Sequence, residues 1–401
     1  MKGDLNLFFN PKSIAVVGAS NTKGKVGNIL IEKLKKFKGK IIPINKYDPK
    51  IMGKTAYKKL TDYEGKIDLA VIATPKPTVL KVLKDANKKE IKNIIIISAG
   101  FSEIGDKRNE NKIIQFCDKN KINLLGPNCF GIINTDKKID LTFSKESPKK
   151  GNTVFISQSG ALGSFILDYE IPLRGFISLG NMAGLNFADF IEYFNEDKET
   201  KKIVLYIEKL KDGRRFIDAC KNSTKEICVV KSGKTEIGQK ATMSHTGSLA
   251  TNFEIYKGAF KQAKVKYFNS LSECFNLKKE DITKNLRGKN IAIITNAGGA
   301  GALLTDELIE KGYNVFGPKD ILGTATPNDY KKALHRISKP YDNIVVIFTP
   351  QTMSDATNTA KVIASSRWKN KIIALFLGEK SVVDAVEILK ENQIPVFTTG
   401  V

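Results

Sequence analysis

The sequence predicts an α/β protein of three successive units, each with a mostly parallel sheet. Three observations lead there. Short apolar runs such as Ile14-Ala15-Val16-Val17 recur along the chain, and each ends in a cluster of Gly, Ser, Ala or Asn. Helical stretches separate these runs, so strand and helix alternate as in βαβ units. Finally, 401 residues exceed what one ordinary core supports, so two or three domains are expected.

The first unit opens with the strand Ser13 to Val17, which runs into Gly18-Ala19-Ser20-Asn21-Thr22-Lys23-Gly24-Lys25-Val26-Gly27 and a helix from Asn28 to Phe37. Strand, glycine-rich turn and helix make a phosphate site, because glycine permits close approach and helix N–H groups face the anion. After the next strand, Lys40 to Ile44, a chain that binds NAD carries an acidic residue for the ribose hydroxyls. Asn45 and Lys46 stand here instead. A cation suits a phosphorylated ribose, as in coenzyme A or NADP, and NAD is disfavoured. Strands at Ile67 to Ala73, Ile94 to Ile97 and Asn123 to Leu125 follow, ending in Thr74-Pro75, Ser98-Ala99-Gly100-Phe101 and Gly126-Pro127-Asn128-Cys129. The unit reads as Rossmann-like and is expected to span residues 1–147.

The second unit, expected over 148–286, starts with Thr153 to Ile156 and the turn Ser157-Gln158-Ser159-Gly160-Ala161-Leu162, which opens a helix to about Tyr169. Its N-terminus can hold an anion, although a glycine there equally serves tight packing. Ile203 to Ile207 ends at Glu208, placed at a strand's carboxyl end, where a carboxylate can orient a histidine or stabilise its cation. The plainer reading is a solvated charge ahead of the helix near Gly213. After the strand Ile227 to Lys231 comes Ala241-Thr242-Met243-Ser244-His245-Thr246-Gly247-Ser248-Leu249-Ala250. Its small polar residues suit an exposed, mobile loop that presents an imidazole. Such a histidine is roughly three quarters neutral near pH 7 and can act as a nucleophile without tuning, although taken alone the plainer reading is a surface histidine in a polar loop. Lys278 to Arg287 reads as a charged linker.

The third unit, over 287–401, repeats the grammar. Ile291 to Thr295 leads into Asn296-Ala297-Gly298-Gly299-Ala300-Gly301 and a helix to about Lys311, with strands at Ile344 to Phe348 and Ile372 to Phe376. Its short strand count suggests a flavodoxin-like sheet. His335, in a lysine-rich helical stretch, reads as a surface histidine.

Composition narrows the function. Hydrophobic content of 41% and charged content of 27% describe a soluble globular chain. No apolar run is long enough to span a bilayer and Met1 to Asn10 has no signal-peptide core, so a cytoplasmic protein without membrane partners is expected. Cys117, Cys129, Cys220, Cys228 and Cys274 form no CxxC pair and read as buried thiols, and no metal site is expected. The net charge of +23 comes from lysines spread along the whole chain, without a basic helix or arginine–aromatic interleaving. That favours compositional lysine drift over a nucleic-acid role, while acidic ligands such as coenzymes are still attracted.

Taken in order, these motifs resemble the α subunits of ADP-forming acyl-CoA (acetyl-CoA) synthetases, relatives of succinyl-CoA synthetase. The resemblance runs nearly end to end. It rests on Phe9-Asn10-Pro11-Lys12-Ser13, Val17-Gly18-Ala19-Ser20, Ser98-Ala99-Gly100-Phe101, Gly126-Pro127-Asn128-Cys129 and Ser157-Gln158-Ser159-Gly160-Ala161-Leu162. Ser178-Leu179-Gly180-Asn181, Leu205-Tyr206-Ile207-Glu208, Ser244-His245-Thr246-Gly247-Ser248-Leu249-Ala250 and Thr295-Asn296-Ala297-Gly298-Gly299 complete the set.

The resemblance implies a CoA-binding domain followed by two flavodoxin-like, succinyl-CoA synthetase-like domains. It also implies the reversible conversion of acyl-CoA, phosphate and ADP to carboxylate, CoA and ATP through acyl phosphate and phosphohistidine. His245 becomes the phosphohistidine and Glu208 its orienting carboxylate. Phosphate is expected between helix N-termini at Ser159, Gly160 and Ala161 and at Gly298 and Gly299, each stabilising it by about 0.3–1 kcal/mol and up to ~2 when partly buried. CoA is expected along Gly18, Ser20, Lys23, Val26, Lys46, Thr74, Pro75 and Asn128. Mg-ADP/ATP is expected on a separate ATP-grasp β subunit, in an α2β2 heterotetramer.

The chain departs from the family in places. Asn45-Lys46-Tyr47 replaces the usual Asn-Pro, Ala300 replaces a proline, and the third domain looks trimmed between Val315-Phe316 and Gly317-Pro318-Lys319-Asp320. Two competing readings are a CoA-binding regulatory module without synthetase activity and an NADP-dependent dehydrogenase. The intact His245 stretch opposes the first; the absence of a hydride-transfer residue set opposes the second.

Overall fold

In the computed structural model, residues 4–246 and 252–401 are described, without the side chains of 243–246. Each apolar run expected to be a strand contains or overlaps one. In the first sheet the spatial order is Lys40–Ile44, Ser13–Val17, Leu69–Ile72, Asn93–Ile96, Asn123–Leu125, all parallel. All five residues of Ser13–Val17 are buried. That is the reason this strand reads as an unbroken apolar run: helices cover both faces of a parallel sheet.

The second sheet repeats the order 2-1-3-4-5 in its parallel part: Leu173–Ser178, Lys150–Ser157, Lys202–Ile207, Glu226–Lys231, Lys266–Phe268. Two short strands, Ile132–Asn134 and Ile139–Asp140, extend it antiparallel beyond Leu173–Ser178. They precede residue 148 in the chain yet hydrogen-bond into the second sheet. The third sheet has the same order again: Asn314–Asp320, Asn290–Thr295, Asn343–Phe348, Ile372–Phe376, Val396–Phe397. The segment through Gly317-Pro318 thus forms an edge strand, with a register shift opposite Ala292 and Ile294.

The three units share cores. One apolar cluster runs from Phe8 and Val16 of the first unit to Phe190 and Phe260 of the second, and another joins Phe155 and Leu162 to Leu303 and Leu375. The charged stretch at 278–287 is packed down instead of hanging free. Ile282 is buried, and Glu280 accepts the N–H groups of Thr398 (2.7 Å) and Thr399 (3.0 Å). At the second unit's far helix end, buried Asp168 accepts the N–H groups of Glu379 (2.8 Å) and Ser381 (3.0 Å) from the third.

One expectation is corrected. Residues 241–246, expected in an exposed loop, complete the helix Glu236–Thr246, and Ala241 and Thr242 are buried. The small residues serve close packing: a β-carbon on Gly238 would overlap Asp306 Oδ1 of the Gly298–Glu310 helix. Small side chains permit loops and tight helix contacts alike, so composition did not separate the two. Residues 247–251, the rest of the expected loop, lie outside the described residues.

Candidate active site

In a 2-1-3-4-5 sheet the crevice opens where the connections reverse direction, beyond the carboxyl ends of strands 1 and 3. All three crevices contribute to one cavity of about 670 Å³. The first gives Ala73 and Thr74, the second Gln158 and Glu208, and the third Asn296. Val26, Ser98, Glu103, Asn128, Ser159, Gly160, Ala161, Asn181, Gly298 and Gly299 also line it.

Two helix N-termini meet there. The helix Gly160–Asp168 is capped by Ser159, whose Oγ accepts Leu162 N–H at 3.3 Å. The helix Gly298–Glu310 begins after Ala297 with no side-chain cap. A β-carbon on Gly299 would stand 2.7 Å from Tyr206 Oη and 3.1 Å from Ser159 Oγ, so only glycine lets the two ends come this close. Their uncapped N–H groups and aligned dipoles create a positive region suited to a small anion.

Glu208 stands at the edge of this region because Gln158 fixes its backbone. Gln158 Oε1 accepts the N–H groups of Glu208 (2.6 Å) and Lys209 (2.9 Å), while its buried Nε2 has no hydrogen-bond partner among the described residues. The third unit uses the same device: Asn296 Oδ1 accepts Thr349 N–H at 2.8 Å and its Nδ2 donates to Thr349 O at 3.1 Å. Beside Glu208, Tyr206 Oη donates to Ser232 Oγ at 2.7 Å. Burial first, and then the charge of Glu208, push this phenol well above its ordinary pKa. It stays a neutral donor. Lys231 is 3% exposed, hydrogen-bonds Ser232 O and lies 4.6 Å from the Tyr256 ring centre. Burial lowers its pKa to about 8, opposed by the charges of Asp306 and Glu208.

On the other side of the cavity, Asn181 Nδ2 donates to Glu103 Oε2 and Glu110 Oε2, each at 2.7 Å. Its Oδ1 accepts from Asn128 Nδ2 at 3.2 Å. This network joins the first unit to the second at the cavity wall. Cys129 also lines the cavity, but burial pushes its thiol up to about 12, so it supplies no thiolate.

The sequence-predicted residues divide into groups. Ser159, Gly160, Ala161, Gly298, Gly299, Glu208, Val26, Thr74 and Asn128 meet in the cavity. Gly18 lies behind the wall, its φ of +90° and the approach of Ala73 O and Thr74 Cγ2 leaving no room for a side chain. Ser20 Oγ accepts Thr22 N–H at 3.1 Å within the turn, and Lys23, Lys46 and Pro75 are exposed outside the cavity. His245 falls in the helix Glu236–Thr246, with its side chain outside the described residues. His335 ends the helix Pro327–His335, exposed as expected. Sequence reasoning missed Glu103 and Asn181, which line the cavity, and it read Gln158 only as part of a turn. A polar Gln between small residues at a strand's end was the one available signal.

Comparison with known proteins agrees with this geometry. Residues 12–135 match a family described as CoA binding domain, and 150–279 one described as succinyl-CoA ligase like flavodoxin domain. The chain is 37% identical to the acetate–CoA ligase [ADP-forming] II subunit alpha of Pyrococcus furiosus, covering 98% of this chain and 94% of that one. It is 41% identical to the acetate–CoA ligase [ADP-forming] of Methanocaldococcus jannaschii, covering 99% of this chain but only 61% of that longer relative. Among solved structures, the acetyl-coenzyme A synthetase 1 of Ca. Korarchaeum cryptofilum, in complex with phosphate and ADP, matches with a TM-score of 0.66 and 32% identity. That match covers 99% of this chain and 94% of the other. The chain belongs to the family of ADP-forming acetate–CoA ligase α subunits.

Proposed function

We propose that this chain is the α subunit of an ADP-forming acyl-CoA ligase and that its cavity carries the thioester and phosphate half of the reaction. The observation that carries this reading is the meeting of two helix N-termini in one cavity with Glu208 and with the CoA-type crevice at Ala73 and Thr74. A phosphate held there donates an oxygen lone pair to the thioester carbonyl. The C–S bond breaks and CoA leaves as the thiol after taking a proton, giving acyl phosphate. A ring nitrogen of His245 then attacks phosphorus, the P–O bond to the acyl group breaks, and the carboxylate departs. Glu208 steadies the imidazolium that forms. Returning the phosphoryl group to ADP completes the cycle and regenerates the histidine.

CoA in this reading runs from the Gly18–Val26 turn, past Thr74 and Pro75, to Asn128. Lys23 and Lys46 are free to meet its phosphates from the exposed side. ADP binds a β subunit of ATP-grasp type in an α2β2 assembly, a division supported by the 61% coverage of the longer M. jannaschii relative. Among the described residues no helix is long and apolar enough to cross a membrane. All five cysteines are buried and none forms a disulfide, which fits a reducing cytoplasm.

The deciding experiment incubates the protein with acetyl-CoA and radioactive phosphate, with and without candidate ATP-grasp partners. An acid-labile, base-stable label that disappears in His245→Ala is expected. A label that persists in that variant, or none with any partner, removes the mechanism.

A further inference from the structure

Asp306 lies eight residues beyond Gly298 on the helix whose first residues enter the cavity, about 12 Å along its axis. It is fully buried, and a buried carboxylate is costly unless its oxygens are saturated. Among the described residues, its hydrogen-bond donors all come from the second unit. Oδ2 accepts Gly233 N–H (2.7 Å) and Lys234 N–H (3.0 Å); Oδ1 accepts Thr235 N–H (2.9 Å) and Thr235 Oγ1–H (2.8 Å). These residues join the strand Glu226–Lys231 to the helix Glu236–Thr246, which contains His245. Thr235 Oγ1 in turn accepts Gly238 N–H at 3.1 Å, so the clasp also caps that helix. A negative charge at a helix N-terminus is favourable on its own account.

The clasp fixes more than a loop. The helix Glu236–Thr246 packs along the Gly298–Glu310 helix and against the Ser102–Ile104 turn, whose Glu103 and Ile104 line the cavity. We propose that Asp306 is a positioning residue for phosphoryl transfer: it ties the root of the His245 helix to the helix that holds the phosphate. The inference rests on the phosphohistidine reading and deepens it. Gly298 and Gly299 bind the anion, and Asp306 sets where the histidine's helix starts relative to them. Its loss therefore affects transfer, while phosphate and CoA binding stay intact.

The test compares wild type, Asp306→Asn, Asp306→Glu and Thr235→Ala in complex with the partner subunit, following the rate of His245 labelling from acyl-CoA and radioactive phosphate. Asp306→Asn keeps the size but not the charge or the four acceptor sites. It is expected to slow labelling by about tenfold or more, with KM for phosphate and Kd for CoA within about twofold of wild type. Thr235→Ala removes the hydroxyl's bond to Asp306 and its acceptance of Gly238 N–H, leaves the three backbone N–H bonds to Asp306, and is expected to slow it by about two- to fivefold in the same pattern. Asp306→Glu, still charged but a methylene too long, is expected to label faster than Asp306→Asn. An unchanged rate in Asp306→Asn, or a phosphate KM that rises in step with the loss of rate, overturns the proposal. If Asp306→Asn fails to fold, Thr235→Ala decides by the same criterion. A wild type that takes no label at all overturns the phosphohistidine reading, and this inference with it.

Discussion

Gln158 holds Glu208 by its backbone: Oε1 of the first accepts the N–H of the second at 2.6 Å. The bond crosses between the carboxyl ends of the first and third strands of the second sheet, at the point where its connections reverse. A carboxylate just past a strand is only an exposed charge unless its backbone is held. Gln158 supplies that hold.

Replacing Gln158 by Leu strips an acceptor from two backbone N–H groups in a buried place, at a cost of about 1–3 kcal/mol each. Labelling of His245 is expected to fall by about tenfold or more while CoA affinity, measured by calorimetry, stays put. Gln158→Glu retains the acceptor and is expected to lose less. Equal labelling in wild type and Gln158→Leu would remove Gln158 from this role.

Glycines at helices give opposite expectations according to what surrounds them. Gly299→Ala pushes a β-carbon against Tyr206 Oη and Ser159 Oγ, and it is expected to raise the KM for phosphate by about three- to tenfold. Gly258, exposed inside the helix Phe253–Ala263, has no described atom within 4 Å of its would-be β-carbon. Gly258→Ala should therefore raise stability by about 0.5–1 kcal/mol in urea unfolding, without changing kinetics. A stabilised enzyme with normal phosphate KM from both substitutions would contradict the packing described for Gly299.

Lys231 makes a pH-dependent prediction. Its folded pKa, about 8, lies below the ordinary lysine value of 10.5. Folding thus disfavours the charged form: the penalty is present in full below pH 8 and disappears as pH rises to 10.5, so this residue's contribution improves with pH. Lys231→Met is expected to stabilise the chain at pH 7, by an amount on the order of 3 kcal/mol. That advantage should shrink towards zero near pH 10.5. Matched thermal melts of the two proteins at pH 7 and pH 10 check it, and a constant difference would contradict the burial of a charged amine.

Asp168 fastens the third unit to the second. In Asp168→Ala the N–H groups of Glu379 and Ser381 lose their acceptor, along with the Ser381 hydroxyl. A loss of about 2–4 kcal/mol is expected. Hydrogen exchange at Glu379 and Ser381 should accelerate before the rest of the chain responds. Unaltered protection there would show that the contact carries little.

The alternation of apolar runs with small-residue turns settled much from the sequence alone. It placed the strands, the carboxyl-edge turns at Gly18, Ser159 and Gly298, and Glu208 at the end of its strand, because buried parallel strands and phosphate-type turns have local signatures. The ordered motifs also sufficed for the family. Three matters were decided only by tertiary structure. The first is that the three crevices open into one cavity, since sheet order and packing between units are not written in any single segment. The second is the state of Ala241 to Thr246, where small residues fitted a loop as well as a helix until Gly238 was seen against Asp306. The third is the set of long-range polar contacts, Gln158 with Glu208, Asn181 with Glu103 and Glu110, and Asp306 with Gly233 to Thr235. Each joins residues some fifty or more positions apart, and a carboxylate or amide on a helix or turn gives no local sign of which distant N–H it will accept.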